Sequence, residues 1–164
     1  MVRYLIAMPR EAEMFKKYSD GIPDGQIDII GIGAENLDAA KYTEDDILVN
    51  IGYAGGYKIP VGNLIEPAYA MDIKTWKALP IDRVFYIERR MCLTSSTFVE
   101  HPMSEVPHLY DMELFKIAKL PHKRVHSIKI ISDNLNERDC EEFNGEDSWK
   151  RAMSFVRTRL KGEK

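Results

Sequence analysis

Short apolar runs, bounded by glycine, proline and acidic residues, alternate along this chain with segments of helical periodicity. The runs predict strands, because β-branched and aromatic residues dominate them and turn-forming residues end them. The predicted strands are Val2–Met8, Gln26–Ile32, Asp45–Gly52, Leu64–Asp72, Asp82–Glu88, Arg90–Phe98 and His126–Ser132. The predicted helices are Arg10–Tyr18, Ala34–Tyr42, Tyr110–Leu120 and Asp147–Lys161.

This alternation predicts an α/β fold with a central mixed β-sheet flanked by helices, formed as a single domain over residues 1–164. Pro67 predicts an edge position or a bulge in its strand. The run Ile47–Val49 is continuously apolar, as in a strand buried on both faces. It is followed by Gly52–Gly56, which predicts a turn that would let a ligand approach the backbone closely. Ligands of α/β proteins bind at such strand ends.

Composition narrows the function classes. The chain carries 26 acidic and 23 basic residues, for a net charge of −3, with no basic block. We therefore expect no nucleic-acid partner and no membrane partner. Cys92 and Cys140 are far apart and suit free thiols, and the N-terminal apolar stretch is too short for a signal peptide, so we expect a cytoplasmic protein. The four histidines match no metal-ligand spacing, and we expect no metal and no cofactor.

Three acidic residues lie where predicted strands give way to loops or helices. Glu11 falls in the first turn of a helix, Glu113 at the start of another, and Asp133 directly after the last strand. The ordinary interpretation is that the helix dipole favours the first two and a turn favours the third. The functional interpretation is general acid–base chemistry, with the helix end keeping Glu11 ionised and able to accept a proton from water.

Taken in order, the segments AMPREAE, GIG, NIGYAGG with VGN, TSSTFV, YDMEL and IISDN resemble one family. The chain is similar to the nucleoside phosphorylase superfamily, and most similar to its 5'-methylthioadenosine/S-adenosylhomocysteine nucleosidases. The resemblance spans residues 1 to about 134. It implies a nucleoside phosphorylase-like fold, a small-molecule nucleoside as ligand, and a homo-oligomer, most simply a dimer.

The resemblance also implies roles for particular residues. Glu11 would activate the attacking water, and Asp133 would support protonation of purine N7 as the base leaves. Glu113 would bind the ribose hydroxyls, with Met112 against the sugar. Phe98 would stack on the base, although a core aromatic is the ordinary alternative for Phe98. The remaining substrate-binding positions that the resemblance implies are Val99, Tyr53, Ala54, Gly55 and Ser132.

The chain departs from the family pattern in three ways. It is shorter, with trimmed connections before Asn50, between Tyr69 and Cys92, and between Val99 and Asp111. Tyr53 stands where the family has a small hydroxyl residue beside the nucleophile, and its phenol would narrow that subsite. Asp111 replaces a glutamate.

The nucleophile can be inferred in part from the cations near these motifs. Arg10 is the one arginine close to them. A single arginine provides few cationic donors for binding a phosphate, so water is favoured as the nucleophile. We therefore expect hydrolysis of a purine nucleoside or thionucleoside. The alternatives are phosphorolysis, a nucleoside-binding protein without turnover, and an unrelated α/β protein.

Overall fold

The computed structural model describes residues 1–163 of the chain. Its strands are β1 (Val2–Ile6), β2 (Gln26–Ile29), β3 (Ile47–Tyr57), β4 (Leu64–Asp72), β5 (Ala78–Pro80), β6 (Arg89–Thr94), β7 (His108–Asp111) and β8 (Arg124–Asp133). Its α-helices are α1 (Pro9–Lys17), α2 (Leu114–Ala118), α3 (Glu137–Glu142) and α4 (Glu146–Arg159), and 3₁₀ turns span Ile32–Ala34 and Ala39–Lys41. Within residues 1–163, no helix is long and apolar enough to cross a membrane.

The strands form one mixed sheet, ordered β2-β1-β3-β7-β6-β4-β5, with β8 paired to both β3 and β4. Because β8 joins β3 to β4, the strands β3, β7, β6, β4 and β8 form a closed ring. β1, β3 and β8 run parallel, so their carboxyl ends meet at the same edge. The predicted α/β fold with a central mixed sheet is confirmed.

Helices cover the sheet on both faces. Phe15 of α1 and Trp149 and Val156 of α4 pack in one buried cluster, and Leu114 and Ile117 of α2 pack in another. Successive residues of strand β3 belong to different clusters, since Leu48 lies in one and Val49 in the other. That continuous apolar run is what a strand with helices on both faces requires. Each of α1 and α4 has at least one acidic residue in its first turn and basic residues in its last turn, which the helix dipoles favour.

Several predicted elements differ in the structure. The predicted turn at 52–56 is wrong, because β3 continues as a strand to Tyr57 with only a bulge between Ala54 and Gly55. The predicted strand at 82–88 is also wrong. The backbone N–H groups of Val84, Phe85 and Tyr86 bond the buried carboxylate of Glu66 instead of a neighbouring strand.

The predicted helix at 110–120 begins too early. Residues 108–111 form β7, which pairs with β3 and β6, and α2 starts only at Leu114. The predicted helix at 34–42 reduces to two 3₁₀ turns, while the predicted C-terminal helix is confirmed as α4. Pro67 lies at a register shift within β4, which is an interior strand between β5 and β6, so the bulge is correct and the edge is not.

Candidate active site

A cavity of about 280 Å³ opens where the carboxyl ends of β1, β3 and β8 meet the residues that follow β7. It is lined by Ala7, Met8, Arg10, Glu11, Ile32, Tyr53, Ala54, Gly55, Phe98, Tyr110, Asp111, Met112, Glu113, Ser132, Asp133, Glu137, Cys140 and Glu141. The lining residues come from the sheet and from α1, α2 and α3 with their connections. Among the residues singled out from the sequence, all but Val99 lie in this lining.

Glu11 is held at the floor of the cavity by the start of α1. Its side chain is buried and accepts a hydrogen bond from the backbone N–H of Met8 at 2.9 Å and of Tyr53 at 2.8 Å. Burial raises the pKa of this carboxyl, against the opposing effect of those two bonds and of the Lys129 and Arg10 charges. Burial therefore has a larger effect on the Glu11 pKa than the start of the helix, which was expected from the sequence to keep Glu11 ionised. A carboxylate with a raised pKa is a stronger base toward water.

Asp133 ends β8 and is fixed by three donors. Its Oδ1 accepts the backbone N–H groups of Leu135 at 2.9 Å and Asn136 at 3.1 Å, and its Oδ2 accepts the hydroxyl of Ser132 at 2.8 Å. A turn after the strand therefore points these N–H groups back at the carboxylate. Asp133 is almost completely buried, so its orientation toward the cavity is set by the protein and not by solvent.

The glycines of β3 make room for these two carboxylates. A Cβ at Gly52 would lie 3.0 Å from Glu11 Oε1, and a Cβ at Gly55 would lie 3.1 Å from Asp133 Oδ1. Neither glycine has a positive φ, so backbone conformation does not require them. Their role is close approach: a side chain at either position would push a carboxylate out of place.

Glu113 precedes α2 and faces the same cavity. Its Oε1 accepts the backbone N–H of Gly33 at 2.9 Å, which ties the carboxylate to the loop after β2. Burial, with the neighbouring Asp111 charge, raises the pKa of Glu113 to about 7, while Lys129 opposes this rise. Glu113 therefore changes its charge near neutral pH.

Lys129 is a buried cation behind the cavity lining that was not singled out from the sequence. It lies on β8 opposite Gly52 with its side chain buried, and its Nζ forms an ion pair with Asp111 Oδ2 at 2.8 Å. Asp111 also accepts the Thr94 hydroxyl at 2.7 Å. Although burial opposes it, Lys129 holds the pKa of Asp111 below its usual range. A lysine within the apolar run of residues 128–131 was the available signal, because a buried lysine needs a partner.

Tyr53 lines the cavity, but its hydroxyl is directed into the protein. The phenol oxygen accepts the indole N–H of Trp149 at 3.1 Å, and the ring packs edge-on against Phe143 at 5.5 Å. The guanidinium of Arg10 lies 5.3 Å from the ring centroid. Arg10 also donates to the backbone carbonyls of Cys140 and Glu141, at 3.4 and 3.1 Å. Tyr53 and Arg10 thereby connect α1, β3 and α3.

Phe98 and Val99 follow β6 in an irregular segment. Phe98 lines the main cavity, whereas Val99 lines a smaller adjoining cavity of about 30 Å³ together with Phe98 and Met112. The structure therefore places Phe98 in the predicted cavity and Val99 one step away from it.

Taken together, the mixed sheet and the cleft of buried carboxylates at its carboxyl edge define an α/β protein with a small-molecule site. No protein-family model matches the chain, and no curated protein matches it either. Solved structures do match.

One of these is a putative 5'-methylthioadenosine/S-adenosylhomocysteine nucleosidase from Borrelia burgdorferi bound to adenine, at TM-score 0.72 and 18% identity, covering 96% of this chain and 99% of that one. The nucleosidase from Neisseria meningitidis in complex with methylthio-immucillin-A has TM-score 0.72 and 17% identity, covering 96% and 98%. The Arabidopsis thaliana 5'-methylthioadenosine nucleosidase has TM-score 0.66 and 13% identity, covering 96% of each chain. The fold of this chain is the fold of these nucleosidases, and the resemblance found in the sequence is confirmed at that level.

Proposed function

We propose that this protein hydrolyses the N-glycosidic bond of a purine nucleoside or thionucleoside such as 5'-methylthioadenosine or S-adenosylhomocysteine. The observation that carries the proposal is the convergence of Glu11, Glu113 and Asp133 on one cavity. Three acids from separate elements, all buried, would not be gathered around a hollow for stability alone, since burying carboxylates costs free energy.

In the proposed reaction, Asp133 donates a proton to N7 of the purine while the C1'–N9 bond breaks and its electron pair passes to the base. Water attacks C1' as positive charge develops on the sugar, and Glu11 takes the proton that water loses. Glycoside hydrolases use a similar pair of carboxyl groups, with one acid at the leaving group and one base at the nucleophile. General acid–base assistance of this kind contributes about 10²–10⁴ in rate.

The remaining lining residues bind the substrate in this proposal. Glu113 accepts hydrogen bonds from the ribose hydroxyls, Met112 packs against the sugar, and Phe98 stacks on the base. Val99 borders the base through its backbone, behind Phe98. The wall beneath the nucleoside consists of Tyr53, Ala54, Gly55 and Ser132. The complex of the Neisseria meningitidis nucleosidase with methylthio-immucillin-A, a nucleoside analogue, supports a ligand of this class.

Water is favoured over phosphate as the nucleophile because Arg10 already has contacts within the protein. Its guanidinium already contacts the Tyr53 ring and two backbone carbonyls of α3. Phosphorolysis requires cationic donors around a phosphate. We expect adenine release to be independent of phosphate, with free sugar as the product. A requirement for phosphate, with sugar 1-phosphate formed, would replace the hydrolase by a phosphorylase.

The site assignment is tested by a panel of purine nucleosides assayed for base release, with wild type beside Asp133→Asn. We expect the wild type to release base and the variant to bind the same nucleoside with little turnover. Unchanged turnover in the variant would remove Asp133 from the mechanism. Tight binding by the wild type with no base released over hours would instead indicate a nucleoside-binding protein.

The setting of the activity is part of the same proposal. We propose that residues 1–164 act as one domain, in the cytoplasm, in methionine salvage and purine metabolism, and as a homodimer. Exposed Met103 and Val106 support a dimer, because they place apolar surface on the segment that follows Phe98. Light scattering coupled to size exclusion tests the dimer, and a monomer at micromolar concentration would contradict it.

A further inference from the structure

The cavity is lined by more acidic than basic side chains. Its lining contains the carboxylates of Glu11, Asp111, Glu113, Asp133, Glu137 and Glu141, and a single cationic side chain, that of Arg10. Clefts lined by one sign of charge concentrate ligands of the opposite sign and exclude ligands of the same sign. The charge of the ligand is therefore a property on which this site can select.

The cations near the cavity are already engaged. Arg10 bonds the Cys140 and Glu141 carbonyls, and Lys129 is paired with Asp111 beneath the floor. Lys116 bonds the carbonyl of Gly33. Each of these three cations therefore already has an acceptor within the protein.

Three of the six acids, in contrast, keep carboxylate oxygens without a hydrogen-bond donor among residues 1–163, namely Glu113, Glu137 and Glu141. Glu113 is buried, and of its two oxygens only Oε1 accepts a hydrogen bond, from Gly33, among the described residues. At the rim, Glu137 and Glu141 of α3 are exposed and have no ion-pair partner among residues 1–163. The interior and the rim therefore present the same sign of charge.

We propose that this site selects nucleosides by charge: it favours a cationic group at the 5' position and rejects an anionic one, so that 5'-nucleotides are excluded. This inference rests on the proposed function, in which Asp133 holds the base and Glu113 the ribose hydroxyls. With those two ends fixed, the 5' position is the part of the nucleoside free to carry a charged group toward the rim. The selecting residues are Glu137 and Glu141, together with the buried Glu113.

Two pairs of adenosine derivatives, each matched in size, separate charge from shape. The first pair is adenosine and 5'-amino-5'-deoxyadenosine, and the second is the neutral 5'-O-sulfamoyladenosine and adenosine 5'-monophosphate. We expect kcat/KM for the amine to exceed that for adenosine by about threefold, as for a screened surface charge pair. For the phosphate we expect a loss of about 100-fold or more relative to the sulfamoyl compound, because two negative charges meet several carboxylates. Both ratios should shrink as salt is raised.

The matched variants lie on one helix. Glu137→Gln/Glu141→Gln removes the rim acids and should reduce the charge discrimination within both pairs by about threefold or more. Asp139→Asn/Glu142→Gln makes the same change in charge on α3 at side chains outside the cavity lining, and should leave both ratios as in the wild type.

Equal kcat/KM within both pairs would overturn the charge selection while leaving the hydrolase in place, and so would an equal response of the two double variants. If neither these four compounds nor 5'-methylthioadenosine releases adenine, the hydrolase proposal fails. The dissociation constants of the same pairs, measured by calorimetry, then decide the charge selection independently: the same order supports it and equal affinities overturn it.

Discussion

The two halves of β3 have similar backbones but contribute differently to the structure. Residues 47–51 lie between β1 and β8, with Ile47, Leu48, Val49 and Ile51 all about 1% exposed or less. Residues 52–56 continue the same strand but are dominated by glycine, and carboxylates occupy the space that side chains would fill. The first half therefore contributes packing, and the second half contributes space for Glu11 and Asp133.

Lys129 sits at the boundary between these halves, opposite Gly52 on β8. We expect Lys129→Met to cost about 3–5 kcal/mol in the free energy of unfolding, because it leaves Asp111 buried without its cation. Urea unfolding measures this. The double variant Lys129→Met/Asp111→Leu should recover much of the loss, and a double variant less stable than the single one would show that the ion pair is not the cause.

Leu48→Ala probes the packing half. Removing a fully buried leucine should lower the free energy of unfolding by about 2–5 kcal/mol. Since Leu48 does not line the cavity, kcat/KM per folded molecule should stay within a factor of two or so of the wild type, as for a site independent of the chemistry. A loss of turnover in fully folded protein would mean that the two halves are not separable.

Gly55→Val probes the other half. The added side chain must displace Asp133, whose Oδ1 would lie 3.1 Å from the new Cβ. We expect kcat/KM to fall by about 100-fold or more, since misplacing a catalytic group by about 1 Å has that effect. Circular dichroism and unfolding curves serve as the fold control. Full activity in the variant would show that Asp133 is not held by this contact.

The pH dependence of KM gives the smallest expected effect. The pKa of Glu113 is raised to about 7, so its ionised form is lost as the pH falls through that value. Only the ionised form accepts hydrogen bonds from both ribose hydroxyls, and KM should therefore rise by up to about tenfold per unit below pH 7. In Glu113→Gln this dependence should disappear. A wild-type KM that is flat between pH 5.5 and 8 would contradict the role of Glu113.

The same contrast explains what the sequence could predict. The apolar run of β3 could be predicted because local periodicity reports burial directly. Glu11, Glu113 and Asp133 were singled out because each lies beside a strand or helix end, and all three line the cavity. Residues 52–56 were predicted as a turn because of their glycines. The sequence does not distinguish a glycine that is needed for backbone bending from one that leaves space for a carboxylate distant in the chain. The assignment of residues 82–88 as a strand failed for a related reason: their donors bond Glu66, a long-range partner.

Lys129 and α3 were missed for physical reasons of the same kind. The importance of Lys129 depends on Asp111, which lies 18 positions away and reaches it only through the sheet pairing. Helix α3 is short and highly charged and has no apolar stripe from which it could be predicted. It lines the cavity because it follows directly after the carboxyl end of β8.

The most direct measurement is a crystal structure of Asp133→Asn soaked with 5'-methylthioadenosine. Our account predicts the nucleoside intact in the cavity, with purine N7 within hydrogen-bond distance of the side chain at position 133. It also predicts the ribose hydroxyls on Glu113 and a water between Glu11 and C1'. A nucleoside bound elsewhere on the protein, or bound here with its base directed away from position 133, would contradict it.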